Sequence, residues 1–410
     1  MSKRYVILGN GIAGQSCAEE LRSLDPEASI VVLAAEPYPL YNRVALPRVL
    51  RGQVREEKVM LRTVEQCEAM GLEIHYDTRA MEIRVAEQMV VTDRDQSYVY
   101  DALLVATGGR PEPLRWTGIE QVGHLYGFQT LDDTRAIIER ADASERALVV
   151  GGSFIAYELA EGISYRGTSV TWLMRGPRFL RYVLDEEGGQ LCRLLGEQAG
   201  VEFVCNDEIA QLTARNGRYH ALTRGGQQVD FDMLAFGLGL AYYTEAVAGQ
   251  AVEIRRGIVT DSKLRTSAPN VYAAGDIAVF FDLMTNSYNQ MGTWDSAEGH
   301  GKVAARNMAG ANQDYFDVPT YTTTMFGSTL AVMGLTPDVK ADLESVRTYS
   351  FEDGYYRKLF FFEDRLVGAI MIGPPKGRKK LIEIMRSHRP VEVAREDLLD
   401  PAKVMAYSLS

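Results

Sequence analysis

The feature that most constrains this chain lies at its start. A short apolar run, Tyr5-Val6-Ile7-Leu8, feeds directly into Gly9-Asn10-Gly11-Ile12-Ala13-Gly14, and a helix-like stretch follows over residues 15–21. Strand, GxGxxG turn and helix in that order predict the opening of a parallel βαβ unit built to hold a dinucleotide. Gly9 permits the tight turn, Gly11 lets a diphosphate approach the backbone, and Gly14 lets helix and strand pack closely. The diphosphate then sits on the free N–H groups of the helix start, where Ile12 and Ala13 stand. A second apolar run over residues 29–35 ends at Glu36, an acid placed to hydrogen-bond the ribose hydroxyls of an adenosine.

At 410 residues the chain exceeds one ordinary core, so two or three domains are expected. It is 46% hydrophobic, yet no apolar run approaches the ~18–20 residues of a membrane span, so it reads as a soluble protein with no membrane partner. A net charge of -11 argues against a general nucleic-acid binder. The four cysteines, Cys17, Cys67, Cys192 and Cys205, stand far apart, with no CxxC pair and no metal-ligand spacing. That pattern suits buried thiols in a reducing cytoplasm and predicts no metal site.

A near copy of the opening motif recurs mid-chain. Ala147-Leu148-Val149-Val150 reads as a strand, Gly151-Gly152-Ser153-Phe154-Ile155-Ala156 as the turn, and a helix follows. Ser153 stands where the fingerprint has its second glycine, a departure. The next strand, residues 169–174, ends not in an acid but at Met174-Arg175, with Arg178 and Arg181 close behind. Arginines there either accommodate a 2′-phosphate, which favours NADP over NAD, or form a solvated loop. An apolar, glycine-punctuated strand over residues 234–240, containing Gly239, closes the unit. Further strand-like runs end at Ala106-Thr107-Gly108 and at Gly275-Asp276, and an amphipathic helix begins near Trp294. After residue 312 the texture changes to alternating strands over 322–330, 355–362 and 366–372, the last two a hairpin, and then to helices.

Two dinucleotide turns in one chain, one nested within the domain of the other, imply a relay between two nucleotides. On these motifs nearly the whole chain resembles the FAD-dependent pyridine nucleotide oxidoreductases of the two-dinucleotide-binding type. The resemblance implies an α/β fold: an FAD-binding Rossmann-like domain (1–113 and 241–312), an NAD(P)-binding one inserted in it (114–240), and a C-terminal α+β domain (313–410). It implies FAD on Gly9, Gly11 and Gly14 with Glu36 at the ribose, Ala106-Thr107-Gly108 beside the flavin, and Asp276 at the ribityl–phosphate region. NAD(P)H is implied on Gly151, Gly152, Ser153, Phe154 and Ile155, with Gly239 at the same site and Arg175 and Arg181 toward the 2′ position.

An absence decides the subfamily. Disulfide reductases of this family carry a redox cysteine pair after the first domain's second strand, and the cysteine-based peroxidases and oxidases carry one cysteine there. This chain has Tyr41-Asn42-Arg43-Val44-Ala45-Leu46-Pro47-Arg48 instead. That segment resembles the one in ferredoxin, rubredoxin and putidaredoxin reductases and in the flavin module of NADH-dependent nitrite reductase. By that resemblance Arg43 contacts FAD, and Arg48, where relatives have lysine, pairs with Glu158 of the second motif. A fixed guanidinium would stabilise charge on the reduced ring without giving up a proton; the alternative is a surface arginine. Phe154 matches the aromatic that gates the nicotinamide site in relatives, or is a core phenylalanine. Trp294 matches a tryptophan-led helix facing the flavin, or packs internally.

The expected activity is electron transfer from NAD(P)H through FAD to a small iron–sulfur or rubredoxin-type carrier. An NAD(P)H oxidase or quinone reductase without a protein partner is the alternative, and a redox-sensing subunit with little turnover is a third. The basic run Gly373-Pro374-Pro375-Lys376-Gly377-Arg378-Lys379-Lys380 offers an acidic carrier a docking face, although a solvated helix start is the simpler reading. Both a monomer and a homodimer fit the resemblance.

Overall fold

The opening apolar run becomes the strand Arg4–Leu8, buried after its first residue, and it sits at the centre of a parallel sheet. This computed structural model describes residues 2–215 and 217–409. The chain forms two compact units, one of residues 1–44, 56–110 and 240–319, the other of residues 45–55, 111–239 and 320–410.

In the first unit the five-stranded sheet runs, edge to edge, Val271–Ala273, Ala102–Val105, Arg4–Leu8, Ser29–Leu33 and Glu73–His75, all parallel. The order reverses between Arg4–Leu8 and Ala102–Val105, and the crevice at such a switch point is where open α/β sheets bind ligands. Helices Ile12–Leu24 and Trp294–Met308 lie against each other beside this sheet, close enough that a Cβ at Gly301 would stand 2.2 Å from the Ala13 carbonyl oxygen. The same unit holds a three-stranded antiparallel sheet, Ala80–Arg84, Met89–Thr92 and Ser97–Val99.

The second unit repeats the plan. Its parallel sheet runs Glu202–Cys205, Ser169–Met174, Arg146–Val150, Met233–Phe236 and Leu125–Tyr126. The same unit holds a five-stranded antiparallel sheet, Thr320–Met325, Ser328–Gly334, Arg365–Ile372, Tyr355–Phe362 and Glu344–Ser350.

Two strand expectations need correction. The run 234–240 is not one strand: Met233–Phe236 stops at Gly237, where a Cβ would lie 2.4 Å from the Ala156 amide nitrogen. The run 322–330 is likewise a hairpin, turned at Phe326-Gly327 with φ of +46° and +80°. A two-residue hairpin turn of this kind needs positive φ at both positions, and a phenylalanine in that region gives no sequence signal for it. Among the described residues no helix is long and apolar enough to cross a membrane.

Candidate functional site

The three glycines of the first turn are there for different reasons. Gly9 has φ +103°, and a Cβ on it would lie 2.4 Å from the Ala106 carbonyl oxygen. A Cβ on Gly14 would lie 1.9 Å from the Gly9 carbonyl oxygen, so this glycine sets the helix against the turn. At Gly11 a Cβ would meet nothing within 4 Å. Packing therefore does not explain Gly11, whereas room for a ligand over the helix start does. Gly11 is also the N-cap of Ile12–Leu24 and offers no side-chain cap, which leaves the first N–H groups to an outside acceptor. In the same turn the buried amide oxygen of Asn10, Oδ1, has no hydrogen-bond partner among the described residues, and the same is true of Asn42 Oδ1 in the loop after Glu36. The turn thus fits a dinucleotide diphosphate of the kind FAD carries.

Glu36 follows the second strand, as expected, and is held by its own loop. The Tyr41 hydroxyl donates to it at 2.7 Å, and Arg43 forms an ion pair with its other oxygen. Asp276 lies in the short turn Gly275–Ile277; burial pushes its carboxyl up to about 6, with Arg43 acting the other way. The turn is anchored by His300, a residue the sequence did not single out. Its Nδ1 accepts from the Gly275 amide at 3.3 Å, and its ring packs edge-on to Phe280 and Tyr315. Burial drives the imidazole down to about 3, so it is neutral at ordinary pH. Trp294 is the first residue of its helix and half-buried, and Thr293 caps that helix by accepting from the Ser296 amide. The turn at Ala106-Thr107-Gly108 has Gly108 at φ +62° with open space over its Cβ position.

In the second unit, Gly151 has φ +130°, and its Cβ position lies 2.3 Å from the Gly237 carbonyl oxygen. Gly152 is open, with nothing nearer than 3.9 Å. The departure at Ser153 has a structural reason: its hydroxyl donates to the Gly237 carbonyl at 2.8 Å and accepts from the Ala156 amide, capping helix Phe154–Tyr165. Ile155 lies half-buried in that helix's first turn. Gly239, at φ +110°, carries the chain away from the parallel sheet. Of the arginines after Met174, Arg178 is occupied by the Leu184 carbonyl at 2.8 Å, and Arg181 stacks on and donates to Tyr182. Arg175 is exposed and, among the described residues, makes no hydrogen bond or ion pair.

Helix Phe154–Tyr165 carries the unit's most unusual chemistry. Glu158 and Glu161 are both buried on it, at 6% and 7% exposure. Glu158 does not pair with Arg48, a correction to the sequence reading. Arg48 is exposed and, among the described residues, forms no ion pair, because helix Leu46–Leu50 turns Leu46, Pro47, Val49 and Leu50 inward. Glu158 Oε1 instead accepts from the Tyr321 hydroxyl at 2.5 Å. The buried ion pair is Arg51 with Glu161, one turn farther along. Glu161 also accepts from the Phe326 amide at 2.5 Å, and Arg51 donates to the Thr324 hydroxyl at 3.2 Å. Burial pushes Glu158 up to about 7, against the pull of the Tyr321 hydroxyl and of Arg51. Phe154 has its ring centre 4.4 Å from that of Tyr321 and 6.0 Å from that of Phe179. Sequence reasoning missed Arg51, Glu161 and Tyr321. Two acids three residues apart on an otherwise apolar helix were the available signal. The basic run opens helix Arg378–Ser387, where Arg378 bonds the Thr322 hydroxyl and Lys380 pairs with Glu383.

Two parallel sheets, each with a glycine turn after its first strand, together with the C-terminal antiparallel sheet, are the fold of flavoprotein reductases with two dinucleotide-binding domains. The chain belongs to the pyridine nucleotide-disulphide oxidoreductase family, whose model matches residues 3–301 and whose members hold FAD and a nicotinamide nucleotide. Residues 319–389 match the rubredoxin NAD+ reductase C-terminal domain. The chain is 26% identical to the assimilatory nitrate reductase electron transfer subunit of Bacillus subtilis, over 97% of its own length and 51% of that protein. It is 25% identical to the rubredoxin-NAD(+) reductase of Pseudomonas putida, covering 90% of this chain and 96% of that one. It therefore spans about half of the first relative and nearly all of the second. Its fold superposes on a chain from the crystal structure of the covalent putidaredoxin reductase–putidaredoxin complex with a TM-score of 0.90, at 22% identity and 98% coverage of both chains.

Proposed function

We propose that this chain is an FAD-dependent NAD(P)H oxidoreductase that passes electrons to a small iron–sulfur or rubredoxin-type protein. One observation carries the reading. Both nucleotide turns are built, yet residues 41–48 hold no cysteine, and the four thiols of the chain are free, three of them buried. Electrons therefore have no dithiol to enter and must leave by an outside acceptor. Bound FAD supplies the two-electron to one-electron conversion that such an acceptor needs. Gly9, Gly11 and Gly14 would seat its diphosphate, Glu36 its ribose, and Asp276 with Arg43 its ribityl–phosphate region. The names of the relatives support the acceptor class, and the match of residues 319–389 to a rubredoxin reductase domain supports it further.

The nicotinamide nucleotide would lie over Gly151-Gly152-Ser153, with Phe154 at the nicotinamide end. Arg175, exposed and without a partner among the described residues at the end of strand Ser169–Met174, supports NADPH over NADH as donor. The test is NAD(P)H consumption by the flavin-loaded protein in air, with and without added ferredoxin or rubredoxin. Slow turnover in air that rises manyfold with the carrier is expected. Fast turnover that ignores the carrier would replace this reading with an oxidase, and no turnover with either nucleotide would replace it with a binding subunit.

A further inference from the structure

Helix Phe154–Tyr165 presents Phe154 and Glu158 one turn apart, on the same face, and a single side chain meets both. Tyr321, from the first strand of the C-terminal hairpin, lays its ring on Phe154 and donates its hydroxyl to Glu158. We propose that Tyr321 is a positioning residue of the nicotinamide site, its hydroxyl fixing Glu158 and its ring fixing Phe154. The proposal rests on the reading above that these two residues belong to that site.

The geometry makes the coupling specific. Among the described residues Phe154 makes ring contacts with two side chains, Tyr321 and Phe179, so the Tyr321 ring sets one side of its position. Tyr321 cannot drift, because the hairpin that carries it is tied to the same helix a turn later. The Phe326 amide donates to Glu161, and Thr324 receives Arg51. Glu158 is 6% exposed, and among the described residues its one hydrogen-bond donor is Tyr321. Among the described residues, the charged and titratable groups facing Glu158 are Tyr321 on the hairpin, Arg51 after helix Leu46–Leu50, and Tyr157 and Glu161 on its own helix. A neutral hydroxyl thus stands where the family resemblance puts a cation. Its effect on the carboxyl is weaker than a cation's, which leaves Glu158 able to change charge near neutrality while its oxygen stays in place.

The test compares wild type with Tyr321→Phe and Tyr321→Leu, each loaded with FAD. Tyr321→Phe keeps the ring and removes the hydroxyl that donates to Glu158. The Glu158 carboxyl, followed by 13C resonance of labelled glutamate and assigned with Glu158→Gln, should then titrate about one unit or more higher. The pH profile of nucleotide affinity, measured by calorimetry with NADP+ and NAD+, should shift in the same direction. Tyr321→Leu should add a loss of affinity of about tenfold that Tyr321→Phe does not show, because Phe154 loses its wall. A carboxyl titration unchanged in Tyr321→Phe would overturn the proposal. So would a titration that moves while nucleotide affinity keeps its pH profile, since Tyr321 would then be structural only. Failure of wild type to bind either nucleotide would sink the site reading itself, and the wild-type control alone reveals it.

Discussion

Replacing Gly11 and Gly14 separately by alanine splits the first turn into its ligand-holding and its packing parts. At Gly14 the new Cβ stands 1.9 Å from the Gly9 carbonyl oxygen, where ordinary contact begins near 3.4 Å. The obstacle is backbone, so no side-chain rotation relieves it. Helix Ile12–Leu24 would have to back away from the strand, yet its Ala13 carbonyl already abuts Gly301 of helix Trp294–Met308. The cost should reach the upper end of core overpacking, about 3 kcal/mol. For a unit of this size that lowers Tm by about 6–12 °C. Gly11 has φ -74° and ψ -177°, a conformation any residue adopts, and its Cβ position is open. Gly11→Ala should therefore cost the apoprotein only the difference between glycine and alanine as N-cap, about 0.5–1 kcal/mol. The methyl group occupies the approach to the helix N–H groups, however. Loss of one charge-assisted hydrogen bond there weakens FAD binding by roughly 10–100-fold. Flavin stripping, fluorescence titration with FAD and calorimetric melting of both apoproteins measure the two quantities. Equal melting losses in the two variants, or unchanged FAD affinity in Gly11→Ala, would refute the division of roles.

Three further outcomes follow from single side chains. Arg51→Met leaves Glu161 buried without its cation and should destabilise the chain by about 3–5 kcal/mol, whereas Arg51→Met with Glu161→Gln, which removes the charge and keeps an acceptor for the Phe326 amide, should recover most of that loss in denaturant melts. His300, held near 3 by burial, gains its proton in the unfolded chain near 6.5, so native stability falls as pH drops through that interval, by at most ~1.4 kcal/mol per pH unit. His300→Asn, which keeps an acceptor for the Gly275 amide, should flatten that acid limb by about one proton in pH-dependent unfolding; identical slopes would contradict it. Arg175→Ala should raise the KM for NADPH by about tenfold and leave that for NADH unchanged in steady-state assays.

What the sequence revealed and what it hid divide along physical lines. The glycine turns and the buried strands were legible because local geometry forces them: only glycine fits at Gly9 and Gly14, and a parallel strand covered on both faces must be apolar throughout. The partner of Glu158 was not. Helix Leu46–Leu50 has too few turns for periodicity to fix its face, and it is Arg51, after its end, that goes inward while Arg48 faces solvent. Tyr321 lies 163 residues from Glu158, and one sequence carries no sign of so distant a pairing. The hairpin turn was hidden because Phe326 occupies a left-handed conformation that asparagine or glycine would have advertised.

That strained phenylalanine and the buried acids explain one another. A phenylalanine at φ +46° persists only where its surroundings fix it. Its amide reaches Glu161 and its ring meets Tyr157 edge-on, so the helix supplies both restraints. Conversely, Glu158 and Glu161 can stay buried only with donors, and the hairpin brings Tyr321 and the Phe326 amide while residues 45–55 bring Arg51. Neither the helix nor the hairpin satisfies its own polar groups alone. This mutual dependence accounts for a compact unit assembled from three stretches of chain, residues 45–55, 111–239 and 320–410. It also means that the C-terminal sheet completes one wall of helix Phe154–Tyr165, so a change in that sheet reaches Phe154 and Glu158 through Tyr321.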